Sequence, residues 1–368
     1  MRVLVPAELS EYATIWTITV CPCKDFDLQL FEVEAMAGIQ RIGVIGAGAW
    51  GTALAAVVKR AGRDVTLWAL EPEVVTAINR EHRNTSYLPD VDLDGAITAT
   101  GDLGRAAAAD ALLLVVPAQF LRETCKKLEG HINSGTPVVI CSKGIELGTS
   151  ALMTDVVGET LSKASILVLS GPTFAREVAS GLPTAITLAA SDEDLGRRVA
   201  EAIGSPEFRP YLSDDATGAE VGGAVKNVLA IGCGMAEGMG LGANARAALL
   251  TRGLNEIVRL AVARGGRAET LMGLSGLGDL VLTATSMQSR NYSLGAALGE
   301  GKSMEEVLGA RRSVTEGVAT AEAVMSLAEK LNVDMPICSA INQVLNHNAS
   351  IDDMLRGLLD RPFRDELG

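Results

Sequence analysis

Arg41-Ile42-Gly43-Val44-Ile45-Gly46-Ala47-Gly48-Ala49-Trp50-Gly51 decides the fold. A short apolar run, Arg41–Ile45, feeds directly into G-x-G-x-x-G, and an Ala-rich helical stretch, Ala49–Ala61, opens at once. In that setting each glycine has a task. Gly46 allows the tight turn, Gly48 lets backbone approach a pyrophosphate, and Gly51 lets helix settle on strand. The helix start then offers free N–H groups and a positive dipole end to phosphates. This reads as a dinucleotide site.

Outward from this motif the pattern alternates. Asp64–Ala69 reads as a strand, Pro72–Arg80 as a helix and Ala96–Thr100 as a weaker strand. Asp110–Val116, Pro137–Ser142, Ser165–Ser170 and Thr184–Ala189 are near-continuous apolar runs of strand length, suited to a sheet buried on both faces. Phe208–Leu212 supplies a last strand. Helical segments between most of these runs predict an α/β, Rossmann-type doubly wound sheet. Beyond about Asp214 the texture changes to long Ala/Leu/Gly-rich helical stretches at 214–237, 243–264, 275–286, 317–331, 336–346 and 350–359. The expected organisation is an extension at 1–37, a dinucleotide-binding domain at 38–216 and an all-α domain at 217–368. The extension carries no motif, and Met36 just before the first strand raises the expectation that translation starts there.

Composition narrows the partners. The 368 residues carry 32 Lys plus Arg against 45 Asp plus Glu, a formal charge of -13. Such a surface repels phosphate backbones and anionic headgroups, so nucleic acid and membrane are not expected partners. No uncharged run reaches the roughly 18 residues of a membrane span. The six cysteines are scattered without a CxxC pair, so they read as reduced packing residues of a cytoplasmic protein, with no metal site. The three histidines are isolated. Any acid–base chemistry must therefore use another side chain.

Lys226 is the candidate. It is the sole charge between Glu220 and Glu237, inside an apolar helical run. Burial disfavours an ammonium and lowers its pKa, which suits a proton donor and acceptor; a lysine snorkelling from a core helix is the plain alternative. Gly222 and Gly223 imply close approach to that helix. Ligands of such sheets bind beyond the carboxyl ends of strands, where Lys143 and the turn Gly171–Thr173 fall; the turn reads as opening a helix, and the plain alternative for Lys143 is a surface lysine. Glu71, 20 residues beyond Gly51, ends the second strand where a carboxylate accepts from a ribose 2′-hydroxyl and repels a 2′-phosphate. It could equally be a solvated helix-start residue. Asp279 is another charge in apolar surroundings. Ser289-Arg290-Asn291 sets a guanidinium, suited to phosphate, between two hydrogen-bonding side chains, although alone such a run reads as a surface loop.

Together these stretches resemble the NAD(P)-dependent glycerol-3-phosphate dehydrogenase family in its bacterial form. The likeness runs from Gly43 to about Ile337 through Gly46–Thr52, Ser142–Gly144, Ser170–Ala175, Gly222–Asn227, Gly242–Arg246, Gly276–Leu280, Gln288–Asn291 and Thr315–Gly317, in the family's order. The resemblance implies a helical domain like that of the 6-phosphogluconate dehydrogenase superfamily. It also implies interconversion of sn-glycerol 3-phosphate and dihydroxyacetone phosphate, supplying phospholipid synthesis. Lys226 is then the catalytic proton acceptor. Lys143, Gly171, Thr173, Lys226, Asp279, Ser289, Arg290 and Asn291 are substrate contacts. Ala49, Trp50, Lys143, Ala175, Arg290, Val314 and Glu316 join the glycines and Glu71 as cofactor contacts. Leu70 stands where the family often has Arg or His, so NAD is expected over NADP. Ala49 replaces a frequent serine. A homodimer is the expected assembly. The alternatives are another two-domain hydroxy-acid dehydrogenase of the superfamily, which would lack the Gln288–Asn291 motif, and a non-catalytic NAD-sensing protein, which would have no use for a proton acceptor.

Overall fold

Ten strands and sixteen α-helices follow one another in a computed structural model that describes residues 38–309 and 315–362. The expectations for the 1–37 extension and for Val314 lie outside the described residues. The first strand, β1 (Arg41–Ile45), runs through the middle of an eight-stranded sheet. It is flanked by β2 (Asp64–Trp68) on one side and β6 (Ala111–Leu114) on the other, both parallel to it. A two-stranded hairpin, β3 (Arg83–Asn84) with β4 (Leu88–Asp92), stands apart before β5 (Thr98–Thr100). β7 (Pro137–Ile140), β8 (Ser165–Ser170), β9 (Thr184–Ala190) and β10 (Phe208–Ser213) complete the order β10-β9-β8-β7-β6-β1-β2-β5. The six strands from β5 to β8 are all parallel, and their order reverses at β1, so the carboxyl ends of β1 and β6 flank a switch point.

β9 departs from the pattern. It runs antiparallel to β8, and β10 follows parallel to β9. The cause is the short helix: α6 (Ala175–Ala179), between β8 and β9, has 5 residues and rises only about 7.5 Å, too little to carry the chain back along the length of a strand for a parallel start. That helix opens at Ala175 with Phe174 at its cap. Gly171–Thr173 therefore precede the helix rather than open it, a correction to the sequence reading.

Helices cover both faces of the sheet. α1 (Ala49–Arg60), α2 (Pro72–Glu81) and α7 (Glu193–Ile203) accompany α6 around one apolar core that includes Val44, Leu67, Leu113 and Leu188. α3 (Leu103–Ala107), α4 (Leu121–Leu128) and α5 (Met153–Thr160) enclose another around Leu112, Leu114, Val138 and Ile140. Strands buried on both faces explain the unbroken apolar runs.

After Ser213 the described residues hold helices only. α8 (Ala216–Gly238) is capped by Asp215, whose Oδ1 accepts from Gly218 N at 2.8 Å, and it is buried continuously from Gly218 to Ala236. A helix buried all round is a core spine. Around it lie α9 (Gly242–Ala263), α10 (Ala268–Leu271), α11 (Asp279–Ala284), α12 (Arg290–Gly299), α13 (Met304–Gly309), α14 (Glu316–Lys330), α15 (Pro336–His347) and α16 (Ile351–Leu359). α8 and α12 cross at backbone contact: a Cβ on Gly295 would stand 1.9 Å from the Ile231 carbonyl oxygen. The stretch read as one helix over 275–286 is split, with a turn of π-helix at Leu274–Gly278 before α11. Among the described residues no helix is long and apolar enough to cross a membrane.

Candidate active site

The glycine-rich loop has the geometry its sequence implies. Gly46 adopts φ +117, and any Cβ there would press on Val115 and Val116 of the neighbouring strand end at 3.0 Å. A Cβ on Gly51 would stand 1.8 Å from the Gly46 carbonyl oxygen, so helix α1 can meet the loop only through glycine. Gly48 differs, because a Cβ there would meet nothing within 4 Å. The protein's own packing does not require this glycine; open space above bare backbone suits a ligand that approaches closely. α1 begins without a side-chain cap, leaving first-turn N–H groups for an acceptor from outside. Ala49 and Trp50 lie half-buried against the sheet core, and the Trp50 Nε1 is buried with no hydrogen-bond partner. An orphaned donor beside an uncapped helix start fits a dinucleotide there.

Glu71 caps the start of α2 by position but not by hydrogen bond. Its Oε1 instead accepts from the Tyr87 hydroxyl at 2.9 Å. Leu70 beside it is 74% exposed, so no cation stands at that station from the preceding residue.

Two lysines and one aspartate form the centre. Asp279, at the start of α11, is fully buried. Its Oδ1 accepts from Lys226 Nζ at 2.6 Å and its Oδ2 from Lys143 Nζ at 2.7 Å. Lys143 follows β7 and also donates to the Gly171 carbonyl at 2.9 Å. Thr173 Oγ1 shares that carbonyl at 3.3 Å. Lys226, on α8, donates further to Thr283 Oγ1 at 2.7 Å. Burial lowers the Lys226 pKa to about 8; the Asp279 charge opposes that shift and the Lys143 charge adds to it. An ammonium has three N–H donors. Asp279 and Thr283 account for two of those on Lys226, leaving one for a substrate oxygen.

The paired glycines before Lys226 are explained within the protein. Gly222 faces the Ser275 carbonyl of the π turn, and Gly223 faces Ser170 Oγ and the stem of Lys143. The sheet and the π turn are what approach α8. Glu316, at the start of α14, lies in the field of Arg290, Lys143 and Lys226; burial still leaves its carboxyl above the usual range. Arg290 itself is exposed at the start of α12.

The other motif residues sort differently. Ser289 caps α12, its Oγ accepting from Tyr292 N at 3.2 Å. Asn291 is buried and committed inside the protein: Nδ2 donates to Asn227 Oδ1 at 2.9 Å, and Oδ1 accepts from Gly317 N at 3.1 Å. Asn291 thereby braces α12 against α8 and α14, Ser289 fixes the start of α12 itself, and Arg290 between them is exposed. Ala175 opens α6 and packs against the sheet core. Thr283 escaped the sequence reading, although its position four residues after Asp279, on the same helix face, was a usable signal.

Comparison with known proteins settles the family. Residues 41–196 match the profile of the NAD-dependent glycerol-3-phosphate dehydrogenase N-terminus, and residues 215–356 match that of its C-terminus. The chain belongs to the NAD-dependent glycerol-3-phosphate dehydrogenase family. A glycerol-3-phosphate dehydrogenase [NAD(P)+] of Maricaulis maris is 55% identical over 328 residues, covering 89% of this chain and 98% of that one. The Rhodospirillum rubrum protein of the same name is 57% identical over 331 residues, covering 90% and 95%. Among solved structures, the glycerol-3-phosphate dehydrogenase of Coxiella burnetii superposes with a TM-score of 0.84 at 39% identity, covering 88% of this chain and 99% of that chain. The fold is thus a Rossmann-type sheet with a helical C-terminal domain, and family membership makes the chain an NAD(P)-dependent oxidoreductase.

Proposed function

We propose that this chain interconverts sn-glycerol 3-phosphate and dihydroxyacetone phosphate, with Lys226 as the proton-transfer residue and NAD(H) preferred over NADP(H). The observation that carries the reading is the buried Lys226–Asp279–Lys143 cluster, set beyond the carboxyl ends of β7 and β8. The glycine-rich loop and Glu71 hold the dinucleotide from the sheet side, with Trp50, Ala175, Arg290, Val314 and Glu316 as further contacts. When bound there, the nicotinamide supplies the hydride chemistry at the substrate C2.

The protein's own part is the proton and the pose. In oxidation the neutral amine of Lys226 takes the C2 hydroxyl proton; in reduction the ammonium returns it to the carbonyl oxygen. Asp279 keeps Lys226 aimed and offsets part of its burial cost. Lys143 and Thr173 line the same cleft from the sheet side. Arg290 receives the phosphate, for which a guanidinium has bidentate geometry. Ser289 and Asn291 complete the substrate set, Ser289 capping and Asn291 bracing the helix that presents Arg290.

On this reading residues 38–216 carry the dinucleotide and residues 217–368 most of the substrate site, and the product feeds phospholipid synthesis. A cytoplasmic homodimer completes the proposal. The four described cysteines are free and buried, in keeping with a reducing compartment. The test of function is NADH oxidation with dihydroxyacetone phosphate. Absorbance at the NADH band should fall on adding substrate, and no loss at any pH between about 6 and 9 would refute the reading.

A further inference from the structure

The β3–β4 hairpin has no part in the sheet, yet it touches the dinucleotide site twice within four residues. Asn84 is wholly buried, and its Nδ2 donates to the Ala47 carbonyl and to Thr52 Oγ1, both at 2.8 Å. Ala47 lies between the first two glycines of the loop, and Thr52 follows the third. The Asn84 Oδ1 accepts from the backbone N–H of Tyr87 at 3.1 Å, which closes the turn. Tyr87 packs half-buried against the sheet core and donates its hydroxyl to Glu71 Oε1 at 2.9 Å. The loop that receives the pyrophosphate and the carboxylate that faces the ribose are therefore tied to one turn.

We propose that this hairpin is a selectivity clasp, in which Tyr87 fixes the Glu71 carboxylate at the ribose and thereby sets the preference for a dinucleotide with a free 2′-hydroxyl. The inference rests on the cofactor reading above and extends it to a residue that acts through Glu71. A carboxylate repels a 2′-phosphate only if it cannot turn away. Glu71 is half-buried at a helix start without a cap hydrogen bond, so its rotamer is restrained by little besides the phenol. With Oε1 held by Tyr87, Oε2 is the oxygen that would accept from the ribose hydroxyls. The hydrogen bond to Glu71, together with burial, raises the Tyr87 pKa, so the phenol stays a donor through neutral and mildly alkaline pH. Asn84 fixes the distance between this clasp and the glycine-rich loop. Tyr87 is thus a positioning residue for cofactor choice.

The test compares kcat/KM for NADH and NADPH, at saturating dihydroxyacetone phosphate, in the unmodified protein, Tyr87→Phe and Glu71→Gln. Tyr87→Phe keeps the ring and removes only the hydroxyl. It should narrow the NADH-over-NADPH ratio by about three- to tenfold, through a higher KM for NADH and a lower KM for NADPH rather than through kcat. Glu71→Gln should narrow the ratio at least as far. A ratio unchanged by Tyr87→Phe but moved by Glu71→Gln would overturn the clasp and leave the role of Glu71 standing. A ratio unmoved by both would remove Glu71 from the cofactor site and the clasp with it. Equal losses with both cofactors, accompanied by a lower melting temperature, would reduce Tyr87 to a packing residue and also overturn the proposal.

Discussion

Lys226 Nζ lies 2.6 Å from Asp279 Oδ1, a lysine and an aspartate from two helices meeting where neither is fully hydrated. Asp279 is shared with Lys143, so the cluster holds two cations on one anion. Burial disfavours the ammonium of Lys226 while Asp279 sustains it, and the result is a pKa of about 8. A buried pair contributes little net stability, because desolvation consumes much of the attraction. What the arrangement supplies is a proton that can leave and return near neutral pH.

The first consequence is in the pH profiles. Reduction needs the ammonium, so its kcat/KM should fall as pH rises through about 8, while oxidation, needing the amine, should rise through the same range. Asp279→Asn removes the charge that holds the proton on Lys226, so both limbs should move to lower pH, in addition to any loss of rate. Limbs left in place, read from rates between about pH 6 and 10, would detach Asp279 from the titration.

The glycines of the loop should separate in their effects. Gly51→Ala sets a Cβ against the Gly46 carbonyl and should cost stability, seen as a melting temperature lower by several degrees. Gly48→Ala meets nothing in the protein, so melting should stay within about 1 °C while the NADH dissociation constant rises at least about tenfold. Equal effects of both on melting would contradict the division of labour.

Glu220 carries a pH dependence of stability. It is buried on α8, where Thr154 donates both N–H at 2.9 Å and Oγ1 at 2.6 Å to its carboxyl group. Burial raises its pKa to about 7, against an ordinary value of 4.5. The folded state therefore holds the proton more tightly than the unfolded chain. Its contribution is full below about pH 4.5 and is lost as pH rises through about 7. Glu220→Gln should gain stability over the unmodified protein above pH 7, by about 1–3 kcal/mol, and show little gain at pH 5. Denaturant melts at the two pH values read this directly, and an equal difference at both would refute it.

Measured at saturating NADH, which offsets any lost cofactor contact, Arg290→Ala should raise KM for dihydroxyacetone phosphate by about tenfold to a hundredfold and leave turnover of unphosphorylated dihydroxyacetone nearly unchanged. If both substrates suffer alike, Arg290 does not read the phosphate.

Much of the architecture was legible because its signals are local. Val138–Ile140 and Leu112–Leu114 are apolar at every position, since both faces of those strands are covered. Direction was not legible: the Thr184–Ala190 run looks like its parallel neighbours, and only the short helix α6 betrays that β9 is reversed. The β3–β4 hairpin escaped notice because Leu88-Pro89-Asp90-Val91-Asp92 is half polar and contains a proline. α12 was hidden by its glycines, which weaken helix propensity yet permit contact with α8. In the site, the isolated charges Lys226 and Asp279 stood out against apolar surroundings. The further role of Asn291, bracing α12, depends on partners 64 and 26 residues away, which spacing cannot reveal.

The most direct test of the account is the turnover of Lys226→Ala, set beside its affinity for NADH measured by fluorescence titration. Losing the proton-transfer group should lower kcat with dihydroxyacetone phosphate by at least about 10²-fold, while the NADH dissociation constant stays within about twofold, because Lys226 reaches the substrate oxygen and not the dinucleotide loop. A variant that keeps half the unmodified turnover would remove Lys226 from the chemistry and contradict the account at its centre.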